Sequence, residues 1–239
     1  MRIKLREAIS LWRRWKAILR SEGLLPFIKH GAGFLIRRFI SYQTYYLYKV
    51  TVKEEAEKSV PSPRIDKFTL KIISSNRQLD GLINDDFDFG YLIVQNDERL
   101  NRGAMAFCIF VERKLAHISW VVGSEEAKSC ITDIPCHTDF SVDEVYLGRT
   151  IRNPRYWRGG FSVYVYQRIM QSLWRSGAKT CRFVVSSNNR VTLNALAKRV
   201  NVQPYGKGHY FRIAWLKFWR EKPANGALLV NTNSAAAGF

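Results

Sequence analysis

The order of strand-like and helix-like segments in the second half of the chain most limits how it can fold. Residues 140–151, FSVDEVYLGRTI, alternate like a strand, and residues 160–176 have the apolar spacing of a helix that ends near Gly177. The same two patterns then recur as a strand over 179–187, a helix over 188–200 with Asn188 as its cap, and a strand over 209–220. Alternation of this kind predicts a sheet covered by helices.

Two apolar segments upstream predict a β-hairpin. Residues 103–111 and 114–122 are rich in β-branched and aromatic side chains and flank Glu112-Arg113. Residues 64–73 have the pattern of a further strand. Together with the later segments, they predict an α+β fold with a central sheet.

The loop NPRYWRGG (153–160) leads directly into the predicted helix at 160–176. Glycines let a backbone approach a ligand closely, and the free N–H groups of a helix's first turn point at it. Three arginines surround the Gly159-Gly160 pair, at positions 152, 155 and 158. The loop therefore predicts an anion site, with a plain loop-to-helix junction as the alternative.

The net charge of +18 is concentrated in two blocks. Residues 1–53 carry +10 and residues 151–239 carry +14, whereas residues 54–150 carry −6. A positive field of this size attracts anionic partners. The candidates are a phosphorylated cofactor, an acidic carrier protein, an anionic lipid surface and nucleic acid.

The first 60 residues have a different character from the rest. Residues 3–20 form an amphipathic helical pattern with a tryptophan-bearing stripe, and residues 34–50 are aromatic and predict a second helix or a helix running into a strand. Residues 53–63 are polar with two prolines and predict a linker. We divide the chain into an N-terminal extension (1–60), a domain (61–222) and a flexible tail (223–239).

The role of the extension has three explanations. Its stripe packs against the domain, lies on a membrane surface as Lys/Arg with Trp also allows, or docks an acidic carrier protein or peptide. Residues 34–48 could also wall a groove for a long acyl chain.

Cysteine use and hydropathy bear on the compartment. The four cysteines are irregularly spaced, which indicates no disulfide framework and no zinc motif. No apolar run is long enough to span a bilayer, and the basic N-terminus lacks the apolar core of a secretory signal. We expect a cytoplasmic protein without a metal, with peripheral membrane attachment as an alternative.

Three segments resemble the GNAT superfamily of N-acyltransferases. YWRGGFS (156–162) resembles the family's glycine loop, NRVT (189–192) its Asn-led helix, and NVQPYG (201–206) the entry to a strand. The resemblance implies a mixed central sheet, an acetyl-CoA or acyl-CoA donor and an amine acceptor that is a small molecule or a peptide. It implies no role for residues 1–60.

The resemblance also assigns the donor site. The pyrophosphate would lie over the backbone of Arg158, Gly159, Gly160, Phe161 and Ser162, with Arg155 meeting a phosphate through its side chain. A bulge at Thr150, Ile151 and Arg152 would free backbone N–H groups for the thioester carbonyl. Asn189 would contact the pantetheine arm, or act only as a helix cap.

Catalysis needs a base to remove the amine proton. Glu144 is the first choice, with Tyr146 as an accessory on the same face of its strand, and a solvated carboxylate is the alternative. The family's tyrosine acid would fall at Leu196, so Tyr205, Tyr210 or unassisted departure of the thiolate must replace it. His117 is expected to be structural. The acceptor pocket is expected in the loops at 76–101 and 123–140.

Two other classes of function stay open. With Gly160 on the second glycine of the family's loop, Trp157 falls where Arg or Gln is usual and Arg158 falls on the first glycine. This altered loop and the missing tyrosine allow a non-catalytic binding module with this fold. A nucleic-acid binder would explain the charge, but the sequence has no helix-turn-helix, zinc-finger or ribonucleoprotein motif, so nucleic acid is the weaker expectation.

Overall fold

The computed structural model describes residues 40–54, 62–90 and 96–223. The strands in these ranges are β1 (Ile40–Thr51), β2 (Thr69–Ile73), β3 (Met105–Val111), β4 (Lys114–Val122), β5 (Glu144–Arg152), β6 (Thr180–Ser186), β7 (Gly206–Ile213) and β8 (Leu216–Pro223). The helices are α1 (Asn76–Asn84), α2 (Asn96–Asn101), α3 (Glu125–Ile131), α4 (Phe161–Arg175) and α5 (Arg190–Ala195). A π-helical turn, Leu196–Val200, continues α5, and 3₁₀ segments cover Phe140–Val142 and Pro154–Gly159.

The strands lie in one sheet in the order β2-β3-β4-β5-β6-β1-β7-β8. Strands β2, β3, β4 and β5 pair antiparallel in succession, β5 and β6 pair parallel, and β6 and β1 pair antiparallel. The predicted α+β fold with a mixed sheet and flanking helices is confirmed. By their contacts, the described residues divide into a larger unit within 44–208 and 219–223 and a smaller unit of 40–43 and 209–218.

Strands β3 and β4 form the centre of the larger unit because they are apolar on both faces. Along β3, Phe107 and Ile109 belong to one hydrophobic cluster, and Cys108 and Phe110 belong to the other. The first cluster includes α4 residues such as Ile169, and the second includes residues of α1 and α3. A strand covered on both sides needs a continuous apolar sequence, which is why MAFCIFV and KLAHISWVV lack clear alternation.

Several local predictions are confirmed. The hairpin β3–β4 turns at Glu112 and Arg113, whose φ angles of 50° and 62° suit a two-residue turn. Helix α4 ends as expected before Gly177, which has φ 80°. A left-handed residue after a helix favours glycine because glycine has no Cβ to clash.

Other local predictions are wrong or shifted. Residues 209–220 are not one strand, because Ala214-Trp215 forms a turn between β7 and β8; apolar residues on both sides of the turn hide it from the sequence pattern. Residues 140–142 are 3₁₀-helical rather than extended, and β5 begins at Glu144. The cap of α5 is Asn189 and not Asn188.

The N-terminal extension contributes a strand to the sheet. Within the predicted segment 34–50, the structure has the strand β1 from Ile40, and Tyr45 to Thr51 pair with β6. The amphipathic segment 3–20 and the tail from 224 lie outside the described residues. The functional division at residues 60 and 222 stays a prediction.

Candidate functional site

The principal cleft lies where β5 and β6 part. The two parallel strands pair only at Glu144–Thr180, Val145–Cys181 and Tyr146–Arg182. Beyond these pairs a cavity of about 270 Å³ lies between Leu147–Arg152 of β5 and Phe183–Ser186 of β6. Its remaining walls include Ile169 of α4 and Leu196, so much of the lining is apolar.

One wall of the cleft carries a β-bulge. Between the pairs Ile118–Ile151 and Trp120–Gly148, Ser119 of β4 faces both Arg149 and Thr150 of β5. Arg149 has the left-handed φ of 44° that such an extra residue can take. The bulge was expected at residues 150–152 and lies one residue earlier. An extra residue in a strand leaves the regular ladder, which frees backbone N–H for another acceptor.

A chain of side-chain hydrogen bonds leads from the bulge into the sheet. The Thr150 hydroxyl is exposed at the cleft and lies 2.9 Å from the Ser119 hydroxyl, which lies 3.0 Å from Nε2 of His117. His117 is buried, and its Nδ1 has no hydrogen-bond partner within the described residues. Burial, and then the nearby Arg152, lower the pKa of His117 to about 3. The imidazole is therefore neutral at physiological pH, which agrees with the expected structural role.

The glycine loop ends in an uncapped helix N-terminus. Gly160 has φ 79° and precedes α4, and no side chain accepts from the first-turn N–H groups of this 15-residue helix. A Cβ on Gly159 would lie 2.8 Å from the Phe161 ring, so that position has room only for glycine. The Gly159 carbonyl accepts a hydrogen bond from the Arg64 N–H at 2.9 Å, which ties the loop to the segment before β2.

A second cavity, of about 420 Å³, lies beside this helix start. Its lining includes Gly160, Phe161 and Ser162, and it shares His117, Arg152 and Ser162 with the first cavity. Its cationic residues are Arg64, Arg152, Lys198 and Arg199, and no Asp or Glu is among the described residues that line it. Cations and free helix N–H groups together favour an anion with several oxygens, such as a phosphate ester.

Only some of the residues predicted to bind the acyl donor line a cavity. Gly160, Phe161, Ser162 and Arg152 line the second cavity, and Arg152 Nη1 donates to the Ser162 hydroxyl at 3.4 Å. Arg155 is exposed and lines neither cavity; its guanidinium lies 5.8 Å from the centre of the Tyr156 ring. The backbone of Arg158 lies in the 3₁₀ segment, and its side chain is outside the described structure. Ile151 is half-buried and pairs with Ile118 across the ladder.

Asn189 lies at the end of β6 and lines the first cavity. Its Oδ1 accepts a hydrogen bond from the Thr192 N–H at 3.2 Å, so it caps α5. A position in the cavity wall and a capping bond are compatible, because one amide side chain offers both an acceptor and donors.

Glu144 lies at the closed end of the two strands and does not line the cavities. Arg182 donates to its carboxylate from Nε at 2.5 Å and from Nη2 at 3.2 Å, Lys49 Nζ lies 2.8 Å away, and the Asp139 N–H donates at 3.0 Å. Burial by itself would raise the pKa of this carboxyl, but the hydrogen bonds from Arg182 and Lys49 outweigh it and lower the pKa to about 2. These contacts argue against Glu144 as a base for a substrate in the cleft.

Tyr146 is also a core residue. Its side chain is 1% exposed, its ring lies 5.7 Å from Lys128 Nζ, and burial raises the pKa of its hydroxyl. The ring packs over Gly148, where a Cβ would lie 2.7 Å from Tyr146 Cε1. The predicted shared face of Glu144, Tyr146 and Gly148 is therefore a packed face. Arg149 and Thr150 are not part of this packed face, because the bulge interrupts the alternation of side chains along β5.

The residues considered as proton donors lie outside the cleft. Leu196 lines the first cavity in place of the family's tyrosine. The Tyr205 hydroxyl accepts from Arg182 Nη1 at 3.0 Å, and burial raises the pKa of Tyr205 to about 12. Tyr210 is buried in the smaller unit.

A third, polar cavity of about 320 Å³ contains residues from both segments expected to bind the acceptor. It is lined by Glu98 of the first segment and the adjacent Arg102, by residues 129–133 of the second segment and by Arg149 of the bulge. The bulge thus has a cavity on each side of the sheet.

No group of three or more His, Cys, Asp or Glu residues within 40–54, 62–90 and 96–223 could hold a metal ion. In the same ranges no helix combines the length and apolar character needed to cross a membrane.

Arg64, Lys198 and Arg199 are the functional candidates that sequence reasoning missed. Lys198 and Arg199 lie near the end of a helical segment, where solvated cations are common, and Arg64 belongs to the segment before β2. Only the fold brings them to one cavity, and the charge of the C-terminal block was the sole signal for two of them.

No protein-family model matches the chain, and no curated protein matches it. Its fold is similar to solved structures that include a GCN5-related N-acetyltransferase from Kribbella flavida, at 12% identity and a TM-score of 0.43 over 76% of this chain and 63% of that one. A GCN5-related N-acetyltransferase from Sphaerobacter thermophilus is 11% identical, with a TM-score of 0.43 over 80% and 56% of the two chains.

A tandem GNAT protein from the clavulanic acid biosynthesis pathway is 10% identical, with a TM-score of 0.44 over 82% and 60%. The chain thus spans 56 to 63% of the length of these three solved chains. At such values the likeness concerns only the fold.

Proposed function

We propose that this chain transfers an acyl group from a coenzyme A thioester to an amine. The observation that carries the proposal is the pair of adjoining cavities at the open end of β5, which share His117, Arg152 and Ser162 in their linings. One is largely apolar and bordered by a strand bulge, and the other is cationic and borders the N-terminus of α4. A coenzyme A thioester needs both an apolar cavity for its acyl group and a cationic cavity for its phosphates.

The cationic cavity suits the phosphates of the donor. Gly160 leaves the first-turn N–H groups of α4 uncapped, and Arg64, Arg152, Lys198 and Arg199 supply positive charge around them. Anions at a helix N-terminus gain from both the N–H groups and the helix dipole. The apolar residues between β5 and β6 would then accept the acyl part, with Asn189 beside the connecting arm.

The bulge suits the reacting carbonyl. The amine lone pair attacks the carbonyl carbon, a C–N bond forms, and the C–S bond breaks as the thiolate leaves. Negative charge develops on the carbonyl oxygen, and preorganised donors at that point give a large part of such catalysis. We assign this role to the backbone N–H groups at the bulge, Arg149 and Thr150, and to the Thr150 hydroxyl, which lies 2.9 Å from the Ser119 hydroxyl.

Neither buried titratable group beside the cleft accepts the amine proton at neutral pH. Glu144 is ion-paired with a pKa of about 2, and His117 has a pKa of about 3. We therefore propose that the amine reacts as the free base and loses its proton to water after attack. The thiolate leaves without an acid, which its modest basicity permits. The pH profile of kcat/KM should then follow the pKa of the acceptor amine.

Ligand-dependent melting tests the donor site directly. A ligand present at about 100 times its Kd stabilises the native state by roughly 2.7 kcal/mol, which raises the Tm of a chain of this size by about 5–10 °C. We expect this rise with CoA and acetyl-CoA, and a much smaller one with acetyl-pantetheine, which lacks the nucleotide phosphates. No rise with CoA or acetyl-CoA would contradict the proposal.

Gly160→Val should abolish the CoA-dependent rise in Tm, because a β-branched residue cannot hold φ 79° and the loop must change shape. Gly177→Val is the matched control: Gly177 has φ 80° at the other end of the same helix and nothing within 4 Å. Both variants lose stability, but only Gly160→Val should lose CoA binding. If both variants still bind CoA, the helix start is not the phosphate site.

Arg199→Glu and Arg155→Glu separate the cavity from its surroundings. Both make the same change of charge, but only Arg199 lines the cationic cavity. We expect Arg199→Glu to weaken CoA binding by roughly 10-fold or more, and Arg155→Glu to have a small, salt-sensitive effect. Equal effects would indicate general attraction rather than a site.

A non-catalytic acyl-CoA-binding module is the second candidate. The ion-paired state of Glu144, the low pKa of His117 and the leucine at 196 favour it, because the cleft then lacks an acid and a base. It predicts the same ligand-dependent melting without turnover on any amine. Release of free thiol from acetyl-CoA in the presence of polyamines, amino acids or peptides separates the two candidates. An acyl carrier protein as donor would give turnover with acyl-carrier protein and none with acyl-CoA.

A further inference from the structure

The smaller unit exposes an apolar hairpin tip. We use this name for Ile213–Phe218, which joins β7 to β8 through the turn at Ala214-Trp215. Trp215 is 84% exposed, and its exposed neighbours are Ile213, Leu216 and Phe218. Tyr42, in the β1 part of the same unit, is 65% exposed. Turns normally carry Gly, Asn, Asp or Ser, so a tryptophan and a leucine here need a reason other than turn geometry.

Contacts inside the unit do not account for these side chains. Phe211 and Phe218 lie 6.2 Å apart as a tilted pair, yet Phe218 remains 52% exposed. Tyr42 and His209 stack and share a hydrogen bond of 2.8 Å, yet Tyr42 remains largely exposed. Strand β8 lies at the edge of the sheet, where it has no neighbour on its outer side within the described residues. A contiguous apolar surface of this kind marks a place of interaction.

The positive charge of the hairpin indicates which kind of partner binds the tip. The β7–β8 hairpin, residues 206–223, carries five Lys and Arg residues against one Glu, and two of these cations, Arg212 and Lys217, lie at or next to the tip. A second copy of the chain would bring like charges together. The basic segment 3–20 would do the same if it covered the tip. An anionic bilayer attracts the charge and accepts the apolar side chains at its interface.

The side-chain chemistry favours a bilayer over nucleic acid. Single-stranded nucleic acid is bound by aromatic faces and cations, whereas the tip combines one tryptophan and one phenylalanine with Ile213 and Leu216, which offer no face for stacking. Aromatic and aliphatic side chains beside Lys or Arg are typical of elements that lie in the membrane interface.

We propose that the hairpin tip docks this protein on an anionic membrane surface, with Trp215, Leu216 and Phe218 inserted at the boundary between headgroups and acyl chains. The contact is peripheral and shallow, and it does not involve the cleft residues. It holds whether the cleft catalyses acyl transfer or only binds a ligand.

Vesicle co-sedimentation of the full chain tests this proposal. We expect binding to phosphatidylcholine vesicles that contain about 30% phosphatidylserine, weaker binding to pure phosphatidylcholine, and weakening with salt. Trp215→Ser combined with Phe218→Ser should reduce partitioning to the anionic vesicles by roughly 10-fold or more, because two large apolar side chains no longer enter the interface. Brominated lipids should quench the fluorescence of the wild type more than that of Trp215→Phe.

Trp174→Ser is the matched control. Trp174 is 41% exposed on α4 in the larger unit, so its loss removes an exposed tryptophan without touching the tip. It should bind the anionic vesicles like the wild type, and all variants should melt within a few degrees of each other. Unchanged vesicle binding by the Trp215/Phe218 double variant would overturn the proposal and assign any binding to residues 1–39. Absence of vesicle binding by the wild type, with a dimer that the double variant dissociates in light scattering, would overturn it in favour of self-association.

Discussion

The two ends of strand β5 differ in almost every physical property although they are only six residues apart. At the closed end, Glu144 and Tyr146 are buried, β5 pairs with β6 from Glu144 to Tyr146, and its pairing with β4 begins at Tyr146. At the open end, Arg149 and Thr150 are exposed, the ladder to β4 is bulged, and β6 has parted from β5. The same strand thus serves stability at one end and offers a site at the other.

The difference follows from burial and from the point at which β6 leaves β5. A buried polar side chain must find its partners inside the protein. Glu144 does so with Arg182, Lys49 and the Asp139 N–H, whose four bonds leave no lone pair for a substrate. Where the pairing stops, backbone and hydroxyl groups face a cavity. The comparison predicts that changes at the closed end alter the free energy of unfolding, and that changes at the open end alter ligand binding and turnover.

The largest effect is expected from Arg182→Ala. It removes two of the hydrogen bonds to a carboxylate whose side chain is only 2% exposed, and removing one partner of a buried ion pair costs about 3–5 kcal/mol. Urea unfolding should show a loss of this size. Lys49→Ala is the matched control, because Lys49 pairs with the same carboxylate from a half-exposed position and should cost roughly 1 kcal/mol or less. Losses that are equal and small would mean that the closed end is accessible to water.

The same carboxylate gives the protein a defined response to acid. The pKa of Glu144 is lowered from 4.5 to about 2 in the folded state. Its stabilising contribution is therefore fully present above pH 4.5 and is lost as the pH falls from 4.5 towards 2. We expect wild type and Glu144→Gln to differ in stability at pH 6 and to converge as the pH falls below about 2. A constant difference over this range would show that the ion pairs do not set the pKa.

The sequence predicted the fold better than the site, for physical reasons that differ between elements. The β3–β4 hairpin and helix α4 depend on local periodicity and on turn residues at Glu112, Arg113 and Gly177, so they were predictable. The β7–β8 turn was missed because the apolar pattern continues through Trp215 and Leu216, where surface chemistry outweighs turn chemistry.

The site was only partly predictable because burial and ion pairing are properties of the fold. Alternation placed Glu144 and Tyr146 on one face, but it could not tell that Arg182 and Lys49 occupy the carboxylate. The glycine loop was found because its residues are contiguous. Arg64 lies more than 130 residues before Lys198 and Arg199 in the chain, and only the fold brings the three to one cavity.

The turnover of Thr150→Val and of Glu144→Gln compares how much each end of β5 contributes to catalysis. With an acceptor identified from thiol release, Thr150→Val should lower kcat by roughly 10-fold or more, as loss of an oxyanion donor does, and leave the donor KM within about threefold. Glu144→Gln should leave kcat within about threefold, measured at a temperature where the variant is folded. The reverse result, a roughly 10²–10⁴-fold loss of kcat in Glu144→Gln, would identify Glu144 as the general base. It would also show that the two ends of β5 do not have separate roles in stability and function.

The smallest effect is expected at Asn189, which tests whether the functional part of the cleft wall extends beyond β5 to the start of α5. This residue borders the open end through the first cavity, yet it also caps α5 through Thr192. Asn189→Ala loses the cap and should cost about 1 kcal/mol of stability, whereas Asn189→Ser keeps a capping oxygen and should cost only a few tenths. If Asn189 also binds the arm of the donor, Asn189→Ser weakens acetyl-CoA binding severalfold at unchanged stability, because serine is too short to reach both groups. If acetyl-CoA affinity stays at the wild-type value in Asn189→Ser, the residue is a cap alone. The functional half of the cleft wall then ends at β5 and the start of α4.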